Sequence, residues 1–342
     1  MDSECADGVD CAEEVEDAEA LEGFELSAKD RDRWDTRLKV WNDRGAVDEA
    51  IESKRSRGPN LANGCIVITL SSGSWSSADL PPMTVQHANL PAMRTSPKVI
   101  FFTDFDGTVT MSDSNDYMTD NIGFGVELRK QGNADVLHDR QSFRDSFKEM
   151  MDSIKTPYDE CIKLLKANIK LDPYFKEFYQ WAKSENIPVV VLSSGMAPVI
   201  RALLVHYLGD IADEIEIVSN DVEPREGKSI NDHGGWQITF HDHSHFGHDK
   251  SIEIRKYSSL PDDQRPILLY AGDGVSDLSA AKETDLLFAK KGHDLVQYCI
   301  RENVPFTEFE DWSTILSTTR DIASGKTTVQ EVSAAGAAAA QN

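Results

Sequence analysis

The chain has 342 residues, and 40% of them are hydrophobic, which is enough to bury a sizeable core. Its formal net charge of −24 repels nucleic acid and anionic membrane surfaces, so we expect neither as a partner. No apolar run is long enough for a membrane span, and no apolar segment follows a basic start, so we expect no secretory signal. The 5 cysteines are scattered and odd in number, as in reduced intracellular proteins. We predict a cytoplasmic protein, with the nucleus as the alternative, and leave the oligomeric state open.

Residues 1–96 have the composition of an extension that cannot form a core of its own. No lysine or arginine precedes Lys29, and the opening segment is almost purely acidic. A short amphipathic helical pattern follows around Trp34 and Trp41, and residues 56–96 are rich in Ser, Asn, Gly and Pro. We predict an acidic, mostly disordered extension and linker over residues 1–96.

The run KVIFFTDFDGTVT, residues 98–110, is the most informative stretch of the chain. Its apolar first half predicts a strand buried on both faces of a parallel sheet. Such a strand delivers Asp104 and Asp106 to the mouth of the sheet, where open α/β proteins place their sites. One carboxylate can attack phosphorus while the other handles the proton, and the pair suits a hard cation such as Mg²⁺. The alternative is an Asp-Gly turn without a chemical role.

Residues 112–171 carry a helical pattern. Apolar residues recur at helical spacing in QSFRDSFKEMMDSI and again in PYDECIKLLKANI, where Pro157 stands near the start of a helix. These patterns predict an all-helical insertion directly after the first strand. From residue 172 a further helix leads into the second strand.

Two more apolar strands are predicted, and both end in polar turns. IPVVVLSSGM ends on Ser194 and Gly195, a turn whose donors suit phosphate oxygens at the start of a helix. RPILLYAGDGVSDLSAAK ends on Asp273 and Asp277 around a glycine turn. Lys250 heads a helical segment between these strands. We expect all of these side chains at one edge of the sheet.

Residues 214–250 alternate, turn at His233-Gly234-Gly235 and alternate again, which predicts a β-hairpin beside the site. Four histidines follow the turn, and on a strand the first three would share one face. A zinc site is therefore an alternative, although no cysteine lies near and zinc requires matched ligands. We favour a solvated hairpin tip. The four histidines are His241, His243, His245 and His248.

The motifs DFDGT, Ser194 with Gly195, Lys250 and GDGVSD, in this order, identify the chain as similar to the haloacid dehalogenase-like (HAD) hydrolase superfamily. It resembles the phosphoserine-phosphatase-like branch over roughly residues 97–320. Segments such as VTMSDSNDYMTDNIGFG are also similar to those of fungal phosphatases of that branch that act on small sugar-alcohol phosphates. The resemblance implies an α/β fold with a Rossmann-like parallel-sheet core, an inserted all-helical cap and a β-hairpin insertion.

The resemblance also suggests a division of the chain. Residues 97–111 and 172–320 would form the catalytic core, and residues 112–171 would form the cap over the site. Residues 321–342 are rich in alanine at their end, and we predict a disordered tail there.

The resemblance implies a role for each acid. Asp104 would attack phosphorus and become an aspartyl phosphate, while Asp106 would protonate the leaving alcohol and later deprotonate water. The implied Mg²⁺ site consists of Asp104, Asp106 through its carbonyl, and Asp273, with Asp277 holding the metal's water or Lys250.

The implied phosphate contacts are Lys250, the Ser194 hydroxyl and backbone N–H groups near Gly107 and Gly195. Thr108 would fix the turn that separates the two acids.

Substrate choice depends on the cap. Asp113 falls where phosphoserine phosphatases have the glutamate that receives the amino group, and the arginine that clamps the carboxylate falls on Met150. A thioether cannot pair with a carboxylate, so we favour a polyol or a similar neutral phosphate ester over phosphoserine. Arg140 or Arg144 in place of the missing arginine would reverse this preference.

The predicted function is hydrolysis of a small phosphorylated metabolite by a Mg²⁺-dependent phosphomonoesterase. Asp106 separates it from the family's dehalogenases, which need no acid for a halide. The alternatives are a phosphoserine phosphatase, another small-metabolite phosphatase of the family, and a catalytically silent binding protein with the same fold. The intact motifs disfavour the last, since function resides in sites rather than folds.

Overall fold

The computed structural model describes residues 90–138, 140–274 and 276–339. The predicted disordered extension therefore lies outside the described residues up to residue 89. From residue 90 the structure differs from the predicted linker, because a 3-10 turn, Pro91–Met93, buries Ala92. Leu90 and Met93 pack against the same apolar cluster. The apolar side chains of this otherwise polar segment pack against the core. Its composition alone did not predict this packing.

A seven-stranded sheet, in the order β4-β3-β2-β1-β5-β6-β7, forms the centre of the fold. Neighbouring strands are parallel except for β3 and β4, which are antiparallel. Because β1 lies between β2 and β5, the strand order reverses beside it, and a crevice is expected at the carboxyl ends there. The strands are β1 (Val99–Thr103), β2 (Val189–Met196), β3 (Glu216–Pro224), β4 (Trp236–Thr239), β5 (Ile267–Gly272), β6 (Leu286–Lys290) and β7 (Thr307–Phe309).

Helices cover both faces of this sheet, which is why its central strands begin with runs of apolar residues. Every residue of β1 and β6 is buried. None of the described helices is long and apolar enough to cross a membrane. Those outside the cap are α5 (Phe175–Ser184), α6 (Ala197–Leu208), α7 (Lys250–Ser258), α8 (Asp277–Ala281), α9 (Asp294–Glu302), α10 (Trp312–Ala323) and α11 (Val329–Ala339).

The predicted helical insertion between β1 and α5 is confirmed. Asp113 and Ser142 cap the first and third helices with side-chain oxygens, and Pro157 takes the N-cap position of the fourth. The third and fourth helices bury the apolar faces that their periodicity predicts. The helices are α1 (Ser114–Ile122), α2 (Val126–Leu137), α3 (Phe143–Ser153) and α4 (Tyr158–Asn168).

The predicted hairpin is present, and it is a continuation of the sheet. Strand β3 pairs with β2 on one side and with β4 on the other. The hairpin turn also contacts the segment between α3 and α4. The Gly234 N–H donates to the Lys155 carbonyl at 2.6 Å, and the Trp236 Nε1–H donates to the Thr156 carbonyl at 3.0 Å. The hairpin therefore ties the helical insertion to the sheet.

The prediction of a disordered tail from residue 321 is wrong for residues 321–339. Helix α10 continues to Ala323, and α11 follows with Val329 buried. A Cβ added at Gly336 would lie 2.1 Å from the Phe306 carbonyl oxygen, so α11 passes very close to that backbone. Alanine is the strongest helix former, and small residues allow this close approach. The alanine-rich composition that suggested disorder suits a packed helix.

Candidate active site

The acids predicted from the sequence meet at the carboxyl ends of neighbouring strands. Asp104 follows β1 and Asp273 follows β5, and these strands pair directly. Carboxylate oxygens of Asp104, Asp273 and Asp277 lie within 4.8 Å of one another. This is the edge at which parallel strands of an open sheet are expected to place a site.

Lys250 is a buried cation between two of these acids. Its Nζ lies 3.0 Å from Asp104 Oδ2 and 2.6 Å from Asp277 Oδ1. The lysine is the first residue of α7, which is held by its N-cap Asp249. Burial lowers the pKa of Lys250, but the carboxylates of Asp104 and Asp277 outweigh it and the net shift is upward. Lys250 therefore stays charged.

Asp277 holds the parts of the site in place. Its Oδ1 accepts hydrogen bonds from Lys250 Nζ and, at 2.5 Å, from the Tyr270 hydroxyl. Its Oδ2 accepts from the N–H groups of Asp273 and Gly274, both at 3.0 Å. Both oxygens are thus engaged, which suits the predicted role of holding Lys250. Tyr270 was not predicted; its signal was a phenol in an otherwise apolar strand.

The Asp104 carboxylate lies in an environment that favours a further cation. Burial raises its pKa well above the ordinary value, Asp277 and Asp273 raise it further, and Lys250 offsets only part of this. One lysine cannot balance three nearby carboxylates. Oxygen ligands of this kind are those that Mg²⁺ prefers, so the residues fit a magnesium ion held by Asp104 and Asp273.

Asp273 is oriented by two neighbours. The Thr108 hydroxyl donates to its Oδ1 at 3.0 Å, and Nδ1 of the half-exposed His293 lies 3.2 Å from its Oδ2. Thr108 thus links the first motif to the fourth, in addition to its place in the turn. His293 was not predicted, since it lies in no motif.

Asp106 is held by the first helix of the insertion. The Ser114 N–H donates to Oδ1 at 2.8 Å, and Asn115 Nδ2 donates to Oδ2 at 2.9 Å. Burial raises the pKa of Asp106 well above the ordinary value, and the nearby charge of Asp113 adds to this. A carboxyl group with a raised pKa can be protonated when the leaving group departs, as a general acid requires.

Ser194 has the property expected of a phosphate contact. Its Oγ is buried and makes no hydrogen bond with any described residue. Buried hydroxyl groups are normally paired, so an unpaired one at the end of β2 favours a bound ligand there.

The N–H groups of the two glycines themselves are engaged, and phosphate contact by N–H groups near them stays a prediction. The Gly107 N–H donates to Thr110 Oγ1 at 3.1 Å, and the Gly195 N–H donates to Ser193 Oγ at 3.0 Å, so both are used within the protein. Gly107 instead provides space. Its φ is +74°, and a Cβ there would lie 2.2 Å from Asp273 Oδ2.

Asp113 and Met150, the predicted substrate contacts, occupy different surroundings. Asp113 caps α1, and its Oδ1 accepts from the N–H groups of Asn115 and Asp116 at 2.7 and 2.9 Å. Met150 is 5% exposed and packs in the main apolar cluster. It is a packing residue, and its contact with a substrate stays a prediction.

The two arginines that could replace the missing clamp are both engaged. The Arg144 guanidinium lies 4.3 Å from the centre of the Phe240 ring and donates to the Asp242 carbonyl. Arg140 forms an ion pair with Asp135. The structure therefore gives no support to a clamp by either side chain.

The histidines lie in a loop, because β4 ends at Thr239. His248 Nδ1 lies 2.8 Å from the Ser193 carbonyl, and burial lowers the pKa of His248 to about 4. His241 lies beside Glu253 at 3.4 Å. Among the residues that the structure describes, the side chains arranged to hold a metal are the three aspartates, without a histidine. The zinc alternative gains no support.

The raised pKa of Asp104 predicts a pH effect on stability. A group whose pKa is higher in the folded state stabilises the fold below its unfolded pKa, and this contribution is lost as pH rises through the folded pKa. In the presence of a chelator, we expect the stability advantage of wild type over Asp104→Asn to shrink as pH rises above the ordinary 3.8. Urea unfolding of both proteins across a pH series measures it, and an advantage that grows with pH would contradict the assignment.

A family model described as haloacid dehalogenase-like hydrolase matches residues 101–282. This range begins in β1 and ends just after α8, so it contains all four predicted motifs. The model and the site therefore point to the same part of the chain.

Two curated relatives are similar over most of their length. "Pdp3-interacting factor 1" of Schizosaccharomyces pombe is 53% identical over 224 residues, which are 65% of this chain and 95% of that protein. "Polyol phosphate phosphatase PYP1" of Saccharomyces cerevisiae is 50% identical over 242 residues, 69% of this chain and 98% of that protein.

A solved structure shares the fold. A HAD family hydrolase from Salmonella enterica serovar Typhi matches with a TM-score of 0.50 at 16% identity, covering 64% of this chain and 70% of its own. At this identity the match supports the fold alone.

Proposed function

Since this chain belongs to the haloacid dehalogenase-like hydrolase family, we propose that it is a Mg²⁺-dependent phosphomonoesterase acting on a small polyol phosphate. The observation that carries this proposal is the arrangement of the two acids. Asp104 lies beside Lys250 and two further carboxylates, whereas Asp106 is held by the N-terminus of α1. This arrangement supports Asp104 as the nucleophile and Asp106 as the proton carrier.

In the first step, a carboxylate oxygen of Asp104 forms a bond to phosphorus while the bond between phosphorus and the ester oxygen breaks. Asp106 gives its proton to the departing oxygen, so the product leaves as a neutral alcohol. Ser194 Oγ and the Lys250 ammonium would meet the charge on the phosphoryl oxygens.

In the second step, Asp106 takes a proton from water as the water oxygen attacks phosphorus. The bond between phosphorus and Asp104 breaks, which releases phosphate and restores the carboxylate. The same carboxyl group serves in both directions because the alcohol and the water occupy the same place in turn.

The magnesium ion would be held by Asp104 and Asp273, with the Asp106 carbonyl as a further oxygen ligand. When bound, it supplies positive charge that reduces repulsion between the Asp104 carboxylate and the phosphate.

The low exposure of the site supports the proposal that the substrate is small. Asp104 and Asp106 are each 8% exposed, and the helical insertion supplies groups that hold Asp106. Such a closed site excludes bulk water and large esters. The name of the yeast relative, which is half identical over nearly its whole length, supports a polyol phosphate as the ester.

We expect magnesium-dependent release of p-nitrophenol from p-nitrophenyl phosphate. A chelator should abolish it, and Asp273→Asn should raise the Mg²⁺ concentration needed for half-maximal rate by roughly tenfold or more, since it removes a charged ligand. Asp262→Asn, at an exposed position, is the matched control and should need the same Mg²⁺ as wild type. A full rate in the chelator would exclude the metal, and no rate under any condition would favour the silent binding protein.

We expect a small polyol phosphate to be the better ester when compared with phosphoserine. The site has no free arginine in the described cap to pair with a carboxylate, and losing such a contact costs about 2–5 kcal/mol, or at least roughly thirtyfold in kcat/KM. Steady-state rates with glycerol 3-phosphate and phosphoserine measure the difference. Should phosphoserine be preferred, Arg140 or Arg144 must move into the site.

A further inference from the structure

Asn115 has a place in this site that the mechanism above does not use. It is the second residue of α1 and is 4% exposed. Its Nδ2 donates to Asp106 Oδ2 at 2.9 Å. When Asp106 is ionised it only accepts hydrogen bonds, so in that form the bond places the amide NH₂ group toward Asp106.

The other half of the amide is left without a partner. Asn115 Oδ1 is buried and accepts no hydrogen bond from any described residue. Buried acceptors are normally satisfied, because an unpaired one loses its hydrogen bonds to water without replacement. The unpaired oxygen therefore indicates a donor that arrives with a ligand.

The amide lies among the groups that handle the leaving alcohol. A Cβ built on Gly195 would be 3.0 Å from Asp106 Oδ2 and 3.3 Å from Asn115 Nδ2, so both face the Ser194-Gly195 turn. Asp106 has to reach the ester oxygen to protonate it. Asn115 Nδ2 is hydrogen-bonded to Asp106, so its amide is adjacent to the group that must reach that oxygen.

We propose that Asn115 Oδ1 accepts a hydrogen bond from a hydroxyl group on the carbon adjacent to the ester carbon, and so selects monophosphates of vicinal diols. This inference rests on the proposed function. A hydroxyl on that carbon is within hydrogen-bond range of a side chain next to the ester oxygen. Because Asp106 fixes the position of the Asn115 amide, a substrate hydroxyl that donates to Oδ1 binds more tightly. An ester that lacks the hydroxyl leaves Oδ1 buried and unpaired.

The test compares two esters that differ by that hydroxyl alone, ethylene glycol monophosphate and ethyl phosphate. Wild type should prefer the first by about tenfold or more in kcat/KM, the usual effect of one buried hydrogen bond. In Asn115→Ala the preference should fall to about twofold or less, since the acceptor that distinguishes the two esters is gone. The ratio is measured on one enzyme sample, so a loss of folded or active protein cancels.

Asn121→Ala is the matched control. Asn121 lies in the same helix, is exposed and donates to the Tyr117 carbonyl, so its replacement should leave the ratio as in wild type. A second measurement uses wild type alone. The hydroxyl of 3-hydroxypropyl phosphate is one carbon further away, and its advantage over propyl phosphate should be about twofold or less.

Two results would overturn the inference while leaving the phosphatase intact: an unchanged ratio in Asn115→Ala, or no preference of wild type for the vicinal hydroxyl. Failure of wild type to hydrolyse either ester with Mg²⁺ would instead overturn the proposed polyol phosphate substrate, and this inference with it.

Discussion

Asp104→Asn is expected to lower kcat by at least about a thousandfold, a barrier increase of ~4 kcal/mol. The amide keeps the shape of the side chain but neither attacks phosphorus nor carries the charge that binds a metal. The fold should persist, because the change removes a carboxylate whose pKa is raised by burial and by Asp277 and Asp273. Steady-state rates and urea unfolding measure the two effects together.

Asp262→Asn, the same chemical change at an exposed position, should leave kcat within about twofold. Beryllium fluoride, which mimics an aspartyl phosphate, should bind wild type in the presence of Mg²⁺ and fail to bind Asp104→Asn. A rate within about tenfold of wild type, a barrier change of only ~1.4 kcal/mol, would rule out Asp104 as the covalent group.

Lys250→Met is expected to cost about 3–5 kcal/mol of the free energy of unfolding at neutral pH without a metal. The replacement fills similar space but leaves Asp104 and Asp277 buried without their cation. Mg²⁺ should recover part of the loss, since it brings positive charge to the same carboxylates. Catalysis should fall as well, because the ammonium no longer meets the phosphoryl charge.

Lys256→Met is the matched control for this change. Lys256 lies in the same helix, and its side chain is 46% exposed in an ion pair with Glu253. Exposed pairs contribute about 0–1 kcal/mol, so this variant should unfold close to wild type. If urea unfolding gives Lys250→Met the same stability as the control, Lys250 does not carry the charge balance of the site.

The sequence indicated the four motifs and the edge of the sheet where they lie, because the position of buried apolar strands follows a simple rule. A strand buried on both faces belongs to a parallel sheet, and all its neighbours end at the same edge. Asp104, Asp273 and Asp277 were therefore predictable as a group, and the order of the family's motifs implied Lys250 with them. The helical insertion was equally predictable. Over segments as long as α3 and α4, the spacing of the apolar residues indicates an amphipathic helix.

The groups that orient these acids were not readable in the same way. Tyr270 donates a hydrogen bond to Asp277, and Asn115 donates one to Asp106. His293 contacts Asp273. Neither Tyr270 nor Asn115 nor His293 belongs to a motif. Each contact depends on where the tertiary structure places a loop or helix relative to the sheet edge. No local sequence pattern predicts that placement.

The sequence by itself determined the strands and the helical insertion, since these follow from periodicity, and the resemblance of its motifs to the family implied which groups would react. Only the tertiary structure decided that the N–H groups of Gly107 and Gly195 are used internally, that Met150 packs in the core, and that residues 329–339 form a helix. The physical reason is the same in each case. Whether a donor is free, a side chain reaches a ligand or a weakly patterned segment orders depends on its spatial neighbours, which come from distant parts of the chain.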